Sequence, residues 1–112
     1  MVVNAAKVAR QTSGYAVAWR GPDGAIAGGS LELDGADLVL RGALHGGRTV
    51  SRRVPLDRVS AVRVGREPAE RVRGAKSVIL EVEGVGAIAV APLGAAGAVF
   101  ELSELVSSLR AG

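Results

Sequence analysis

The residues of this chain that could bind a charged ligand are concentrated in one segment, residues 41–76. This segment contains ten basic and three acidic residues, whereas the rest of the chain contains four basic and eight acidic residues. A surface with one sign of charge attracts partners of the opposite sign. The pattern therefore predicts a site for an anionic partner. The candidate interaction surface comprises Arg52, Arg53, Arg58, Arg63, Arg66, Arg71, Arg73 and Lys76.

A solvated basic surface is the alternative interpretation of the same segment. Twelve of the fourteen basic residues are arginine, and alanine and glycine are abundant, a composition typical of GC-rich bacterial genomes. Coding bias alone could then account for the arginines. Both interpretations stay open at this point. The segment contains no aromatic residue, which argues against single-stranded nucleic acid as the partner because such sites stack bases on aromatic rings.

Residues suited to catalysis or metal binding are few and scattered. His45 is the only histidine, it lies in a Leu-His-Gly-Gly turn, and the chain has no cysteine. Glu81 and Glu83 alternate with apolar neighbours, as solvent-facing residues of a strand do. Gly84-Val85-Gly86 lacks the lysine and the following helix of a phosphate-binding loop. We therefore expect no enzyme activity, no catalytic residue, no metal site and no cofactor.

The apolar pattern predicts seven strands followed by one helix. Alternation with a period of two, bounded by turn residues, predicts strands over residues 15–20, 25–33, 37–41, 48–54, 59–64, 78–83 and 87–91. After Pro92 the period changes to that of a helix, which we expect over residues 95–110. Its apolar face predicts that Leu102, Leu105 and Leu109 are buried. The fold class is thus mainly β, an antiparallel barrel or sandwich capped by a C-terminal helix.

The length of 112 residues predicts a single domain over residues 15–112, preceded by a frayed lead-in over residues 1–14. Lys7 and Arg10 interrupt the apolar part of the lead-in, so it does not resemble a signal peptide. Together with the absence of cysteine, this makes the cytoplasm the expected compartment. The longest connection, Arg66 to Lys76, is polar and basic, and we expect it to be mobile.

The element order resembles the pleckstrin-homology-like superfold, in particular its small bacterial members. The similar pieces are residues 29–33 leading into 38–40, the step Val54-Pro55-Leu56-Asp57-Arg58-Val59 into the fifth strand, and the closing helix over 100–109. The resemblance implies a seven-stranded barrel whose open end is plugged by the helix. It also implies a peptide-binding surface between the fifth strand and the helix, near Arg58, Arg63, Leu102 and Leu105. The superfold's lipid-headgroup site needs several basic residues on and between the first two strands, and here that region offers only Arg20.

The sequence therefore predicts a non-catalytic module that binds a protein or peptide, or associates with itself. The second hypothesis is electrostatic binding of an anionic membrane surface, or of another anionic ligand, through the basic segment 41–76. Because the superfold hosts unrelated functions, the choice between these hypotheses has to come from the site.

Overall fold

The computed structural model of the chain describes residues 15–94 and 97–111, which form seven strands and one α-helix. The predicted lead-in, residues 1–14, lies outside the described residues. The elements are β1 (Tyr15–Arg20), β2 (Ile26–Asp34), β3 (Asp37–Leu44), β4 (Thr49–Pro55), β5 (Val59–Val64), β6 (Val78–Val82), β7 (Gly86–Pro92) and α1 (Ala98–Ala111). All strand pairs are antiparallel, in the order β4-β3-β2-β1-β7-β6-β5. This confirms the predicted fold class: one sheet curls into a half-barrel, and α1 packs against it.

Glycines of β2 and β3 face each other where the two strands approach most closely to each other's backbone, at the pair Gly29 and Gly42. A Cβ atom at Gly29 would lie 2.1 Å from the carbonyl oxygen of Arg41, and one at Gly42 would lie 2.7 Å from the carbonyl oxygen of Gly28. Only residues without side chains permit this approach. Pairing continues through the glycines, so β3 ends at Leu44 and not at Arg41 as predicted. The glycines thus permit β2 and β3 to approach closely at this point of the curled sheet.

The concave face of the sheet and one stripe of α1 form the main core. Strand residues that share this face, such as Val17 and Leu80, are almost completely buried. From the helix, Val99, Leu102 and Val106 enter this core, at the i, i+3, i+7 spacing of a single stripe. The prediction for Leu102 is confirmed.

The burial predicted for Leu105 and Leu109 is wrong, because both residues are only half-buried. The helix is rotated relative to the predicted face. The two valines beside the leucines point to the sheet, and Leu105 and Leu109 lie at the flank of the contact.

The convex face of the sheet carries a second, smaller apolar cluster. It is formed by Ala18, Ile79, Ala89 and Ala91 on β1, β6 and β7. The connection between β5 and β6, residues 65–77, crosses this face and is called the strap below. Val72 of the strap has no exposed surface and completes the cluster. The strap is therefore packed onto the sheet through Val72, and the mobility expected for residues 66–76 stays a prediction for hydrogen exchange to test.

Two tight local structures shape the strap. Pro68–Glu70 forms one turn of 3-10 helix. Val72 and Ala75 then exchange two backbone hydrogen bonds of 3.0 and 2.9 Å around a turn at Arg73 and Gly74, both of which have positive φ, 51° and 78°. This is the geometry of a two-residue hairpin turn, in which glycine at the second position is favoured.

Candidate functional site

A groove lies between the end of β5, the strap and the first turn of α1. Its volume is about 710 Å³, and it is called the basic groove below. Its lining residues are Arg63, Val64, Gly65, Arg66, Arg71, Lys76 and Phe100. Four of the eight predicted surface residues, Arg63, Arg66, Arg71 and Lys76, are thus brought together, and three of these four belong to the strap.

Phe100 supplies the apolar part of the groove. Its side chain is on the helix surface, away from the buried stripe, and the residue is 52% exposed. The ammonium nitrogen of Lys76 lies 5.8 Å from the centre of its ring, within the range of a cation–π contact. Sequence reasoning missed Phe100. The available signal was an aromatic residue off the apolar face of the helix, in a chain with only three aromatic residues.

One of the four cations is neutralised within the protein. The Arg63 guanidinium donates a hydrogen bond to one carboxylate oxygen of Glu70. The other oxygen accepts the backbone N–H groups of Arg66, at 2.9 Å, and Glu67, at 3.1 Å. These three donors stabilise the carboxylate and lower the pKa of Glu70 to about 2, with the Arg63 hydrogen bond as the largest cause. Glu70 therefore stays ionised and fixes the start of the strap.

The remaining three cations of the groove are available for a ligand. In the part of the chain that the structure describes, Arg66, Arg71 and Lys76 form no ion pair, and all three are exposed. Glu70 is already paired to Arg63, and among the described residues the lining of the groove includes no acidic side chain, so its three other cations leave the groove with excess positive charge. An arrangement of this kind favours carboxylates or other anions of a partner.

The strap that carries these cations is held by Arg20 at the end of β1. The Arg20 guanidinium donates to the carbonyl oxygen of Ala69 at 2.9 Å and to that of Arg71 at 3.0 Å. Ser77 closes the far end of the strap, because its hydroxyl donates to the carbonyl oxygen of Glu70. The one basic residue of β1 is thus occupied by an internal contact.

β5 forms one edge of the sheet, and the groove adjoins this edge. The Gly65 N–H donates to the carbonyl oxygen of Ser77 at 2.8 Å, so these two opposite residues form a hydrogen-bonded pair at the end of the β5–β6 ladder. Hydrogen-bonded and non-hydrogen-bonded pairs alternate along an antiparallel ladder. Val64 and Val62, one and three residues before Gly65, are therefore in non-hydrogen-bonded pairs, and their backbone N–H and C=O groups point away from β6. At the start of the strand, Arg110 of α1 covers the carbonyl oxygens of Val59 and Ser60, each at 3.0 Å. In the described chain the structure shows no hydrogen bond to or from the outward backbone groups of Val62 and Val64, and α1 packs beside the strand.

The other predicted surface residues lie elsewhere. Arg52 lies at one end of the half-barrel, in a hollow of about 250 Å³ that it shares with Trp19 and Arg48. Arg53 donates hydrogen bonds to Asp37, at 2.9 Å, and to Asp34, at 3.0 Å, and these two ion pairs raise the pKa of its guanidinium.

Arg58 precedes β5 at the end opposite the groove, and Arg73 lies over Gly28 on the convex face. The segment 41–76 therefore does not form one continuous basic face. Of the two helix residues expected near a peptide, Leu102 is in the core and is 1% exposed, so it cannot contact a ligand, and Leu105 is half-buried.

Within residues 15–94 and 97–111, no three side chains of His, Asp or Glu come together in a way that could hold a metal ion. His45 is exposed in the turn between β3 and β4. No helix of the described chain combines the length and the apolar character needed to cross a bilayer.

Comparison of the chain with protein-family models, with curated proteins and with solved structures finds no match. The function has to be inferred from the basic groove and its surroundings.

Proposed function

We propose that this chain is a non-catalytic interaction module that binds an acidic, extended segment of a partner protein in the basic groove. The observation that carries the proposal is the combination of three exposed, unpaired cations of the strap with the exposed ring of Phe100, next to the edge of β5. The cations suit the carboxylates of a peptide, the ring of Phe100 suits its apolar side chains, and the edge of β5 suits its backbone.

The mode of binding that fits these parts is strand addition. A peptide lying along β5 exchanges backbone hydrogen bonds with Val62 and Val64, which supplies affinity that depends little on sequence. Specificity then comes from side chains that reach the groove. Acidic residues pair with Arg66, Arg71 and Lys76, and an apolar residue packs on Phe100. The resemblance to the pleckstrin-homology-like superfold supports a peptide between the fifth strand and the helix.

A peptide is favoured over a membrane surface because the basic residues are dispersed. Attachment to an anionic bilayer gains about 1 kcal/mol for each basic residue that reaches the surface at the same time. Here Arg52, Arg58 and Arg73 lie at the far end or on the convex face, away from the groove. Only the groove residues could then act together, and they surround a recess.

The experiment is a binding titration monitored by fluorescence anisotropy. The probe is a labelled peptide of about ten residues, enough for one strand, in which Glu alternates with Val. A matched peptide with Gln in place of Glu is the control ligand. We expect the Glu peptide to bind more tightly, and its affinity to fall as salt rises. Equal binding of both peptides would contradict the role of the groove's charge.

A triple variant, Arg66→Gln, Arg71→Gln and Lys76→Gln, tests the location. It is expected to weaken binding of the Glu peptide by about tenfold or more, since several charged contacts are lost together. The matched control, Arg48→Gln, Arg52→Gln and Arg58→Gln, removes the same charge outside the groove and should have a much smaller effect. Equal losses would contradict the proposal. Binding only to anionic vesicles, or only to a second copy of the chain, would replace it.

A further inference from the structure

Arg20 connects the sheet to the main chain of the strap. It is the last residue of β1, it is half-buried, and it does not line the basic groove. Its two terminal nitrogens donate to carbonyl oxygens of residues 69 and 71, on either side of Glu70. A guanidinium is planar and carries five donors in a fixed arrangement, so it can hold two carbonyls of one segment at once, whereas an ammonium offers no such fork.

The backbone that Arg20 holds is the backbone that presents the groove's cations. Arg71 accepts one of the two bonds through its carbonyl and places its side chain at the groove. Val72, the next residue, is sealed against the convex face, and Glu70, the previous one, is paired with Arg63. Arg20 therefore acts at the point where the strap turns from the sheet toward the groove.

Fixing the strap before binding has a direct consequence for affinity. A mobile segment with three cations would have to be ordered when the ligand binds, and that ordering costs free energy. A strap that is already held on the sheet presents Arg66, Arg71 and Lys76 in a preformed arrangement.

We infer that Arg20 is a positioning residue of the basic groove, which acts on an acidic ligand only through the strap. This inference rests on the proposed function for its ligand, but the hold of Arg20 on the strap can be measured without any ligand.

Three variants separate positioning from charge. Arg20→Gln removes both the fork and the charge. Arg20→Lys keeps the charge and loses the fork. Arg73→Gln removes one charge from an exposed strap residue that lies outside the groove, and serves as the matched control. Thermal unfolding establishes that each variant folds, and Arg20→Lys serves as the main test should Arg20→Gln be unstable.

The first readout is amide hydrogen exchange of the strap in the free protein. The N–H groups of Glu70, Arg71, Val72 and Ala75 make backbone hydrogen bonds within the strap. We expect their exchange to be about tenfold faster in Arg20→Gln, faster to a lesser extent in Arg20→Lys, and unchanged in Arg73→Gln, because hydrogen bonds from a charged group are stronger than neutral ones and Arg20 makes two of them to the strap.

The second readout is affinity for the alternating Glu–Val peptide. Arg20→Gln should weaken binding about tenfold, and Arg20→Lys should weaken it less. Arg73→Gln should show only the small loss of affinity expected when one solvent-exposed charge is removed. The inference is overturned if amide exchange of the strap is unchanged in all three variants, Arg20→Lys binds the peptide as tightly as the wild type, and Arg20→Gln loses no more affinity than Arg73→Gln. In that case Arg20 contributes only its charge. If the wild type ignores the peptide, the proposed function fails, and the exchange data still decide whether Arg20 holds the strap.

Discussion

The two faces of the sheet are covered in different ways. The concave face packs against a regular helix through Val99, Leu102 and Val106, and its strand residues are mostly large and apolar. The convex face is covered by an irregular strap, and its cluster consists mainly of alanines with Ile79 and Val72. The concave side therefore supplies most of the stability, whereas the convex side fixes a segment whose polar residues remain exposed. In this protein three of the four cations of the candidate site belong to the strap.

The largest expected effect is on the concave side. Leu102→Ala removes a completely buried side chain from the main core, and we expect it to lower the free energy of unfolding by about 2 to 5 kcal/mol. Denaturant unfolding followed by circular dichroism measures this loss. Leu105→Ala, at a half-buried position of the same helix, is the control and should cost clearly less. Equal costs would contradict the observed rotation of the helix.

A smaller and more local effect is expected on the convex side. Val72→Ala deletes two methyl groups from a fully buried position, which should cost about 1 to 3 kcal/mol. Because the strap is one segment above the sheet, the loss should accelerate amide exchange in residues 65–77 more than in β2 and β3. Exchange that accelerates uniformly over the whole sheet would show that the strap and the main core unfold as one unit.

The smallest effect concerns Glu70 and depends on pH. Its pKa is lowered from an ordinary 4.5 to about 2, so folding favours the carboxylate. The stabilising contribution is therefore complete above about pH 4.5 and is lost as the pH falls toward 2. We expect the amide signals of Arg66 and Glu67, which donate to this carboxylate, to titrate near pH 2 in NMR spectra.

The matched control is Glu70→Gln, in which this low-pH transition should be absent. A titration of both amides centred near 4.5 in the wild type would contradict the three-donor geometry around the carboxylate.

The sequence predicted the concave side well and the convex side poorly, for a physical reason. Strands and helix are visible because apolar residues recur with a fixed period, and this periodicity located all eight elements to within a few residues. Val72 is a single apolar residue between Arg71 and Arg73, so it has no periodicity to reveal that it is buried. The rotation of the helix was missed for a related reason: leucines and valines lie on adjacent faces, and hydrophobicity does not rank one above the other.

The candidate site was predicted in part. Charge counting found the segment 41–76, and it contains the four cations of the groove. Charge counting could not separate the four groove cations from the other predicted residues, because only the fold determines which surface each strand end and loop reaches. The residues that lie elsewhere are Arg52, Arg53, Arg58 and Arg73. The role of Arg20 was also missed, since its contacts are with residues 49 and 51 positions further along the chain.

An NMR titration of the isotope-labelled protein with the alternating Glu–Val peptide shows directly whether the peptide binds along β5 and in the basic groove. We expect the largest changes in the backbone signals of Val62, Val64, Gly65 and Arg66, together with Phe100 at the start of α1. Shifts centred on Arg48 and Arg52 at the end of the half-barrel, or no shifts at peptide concentrations that saturate binding in the anisotropy assay, would contradict this expectation.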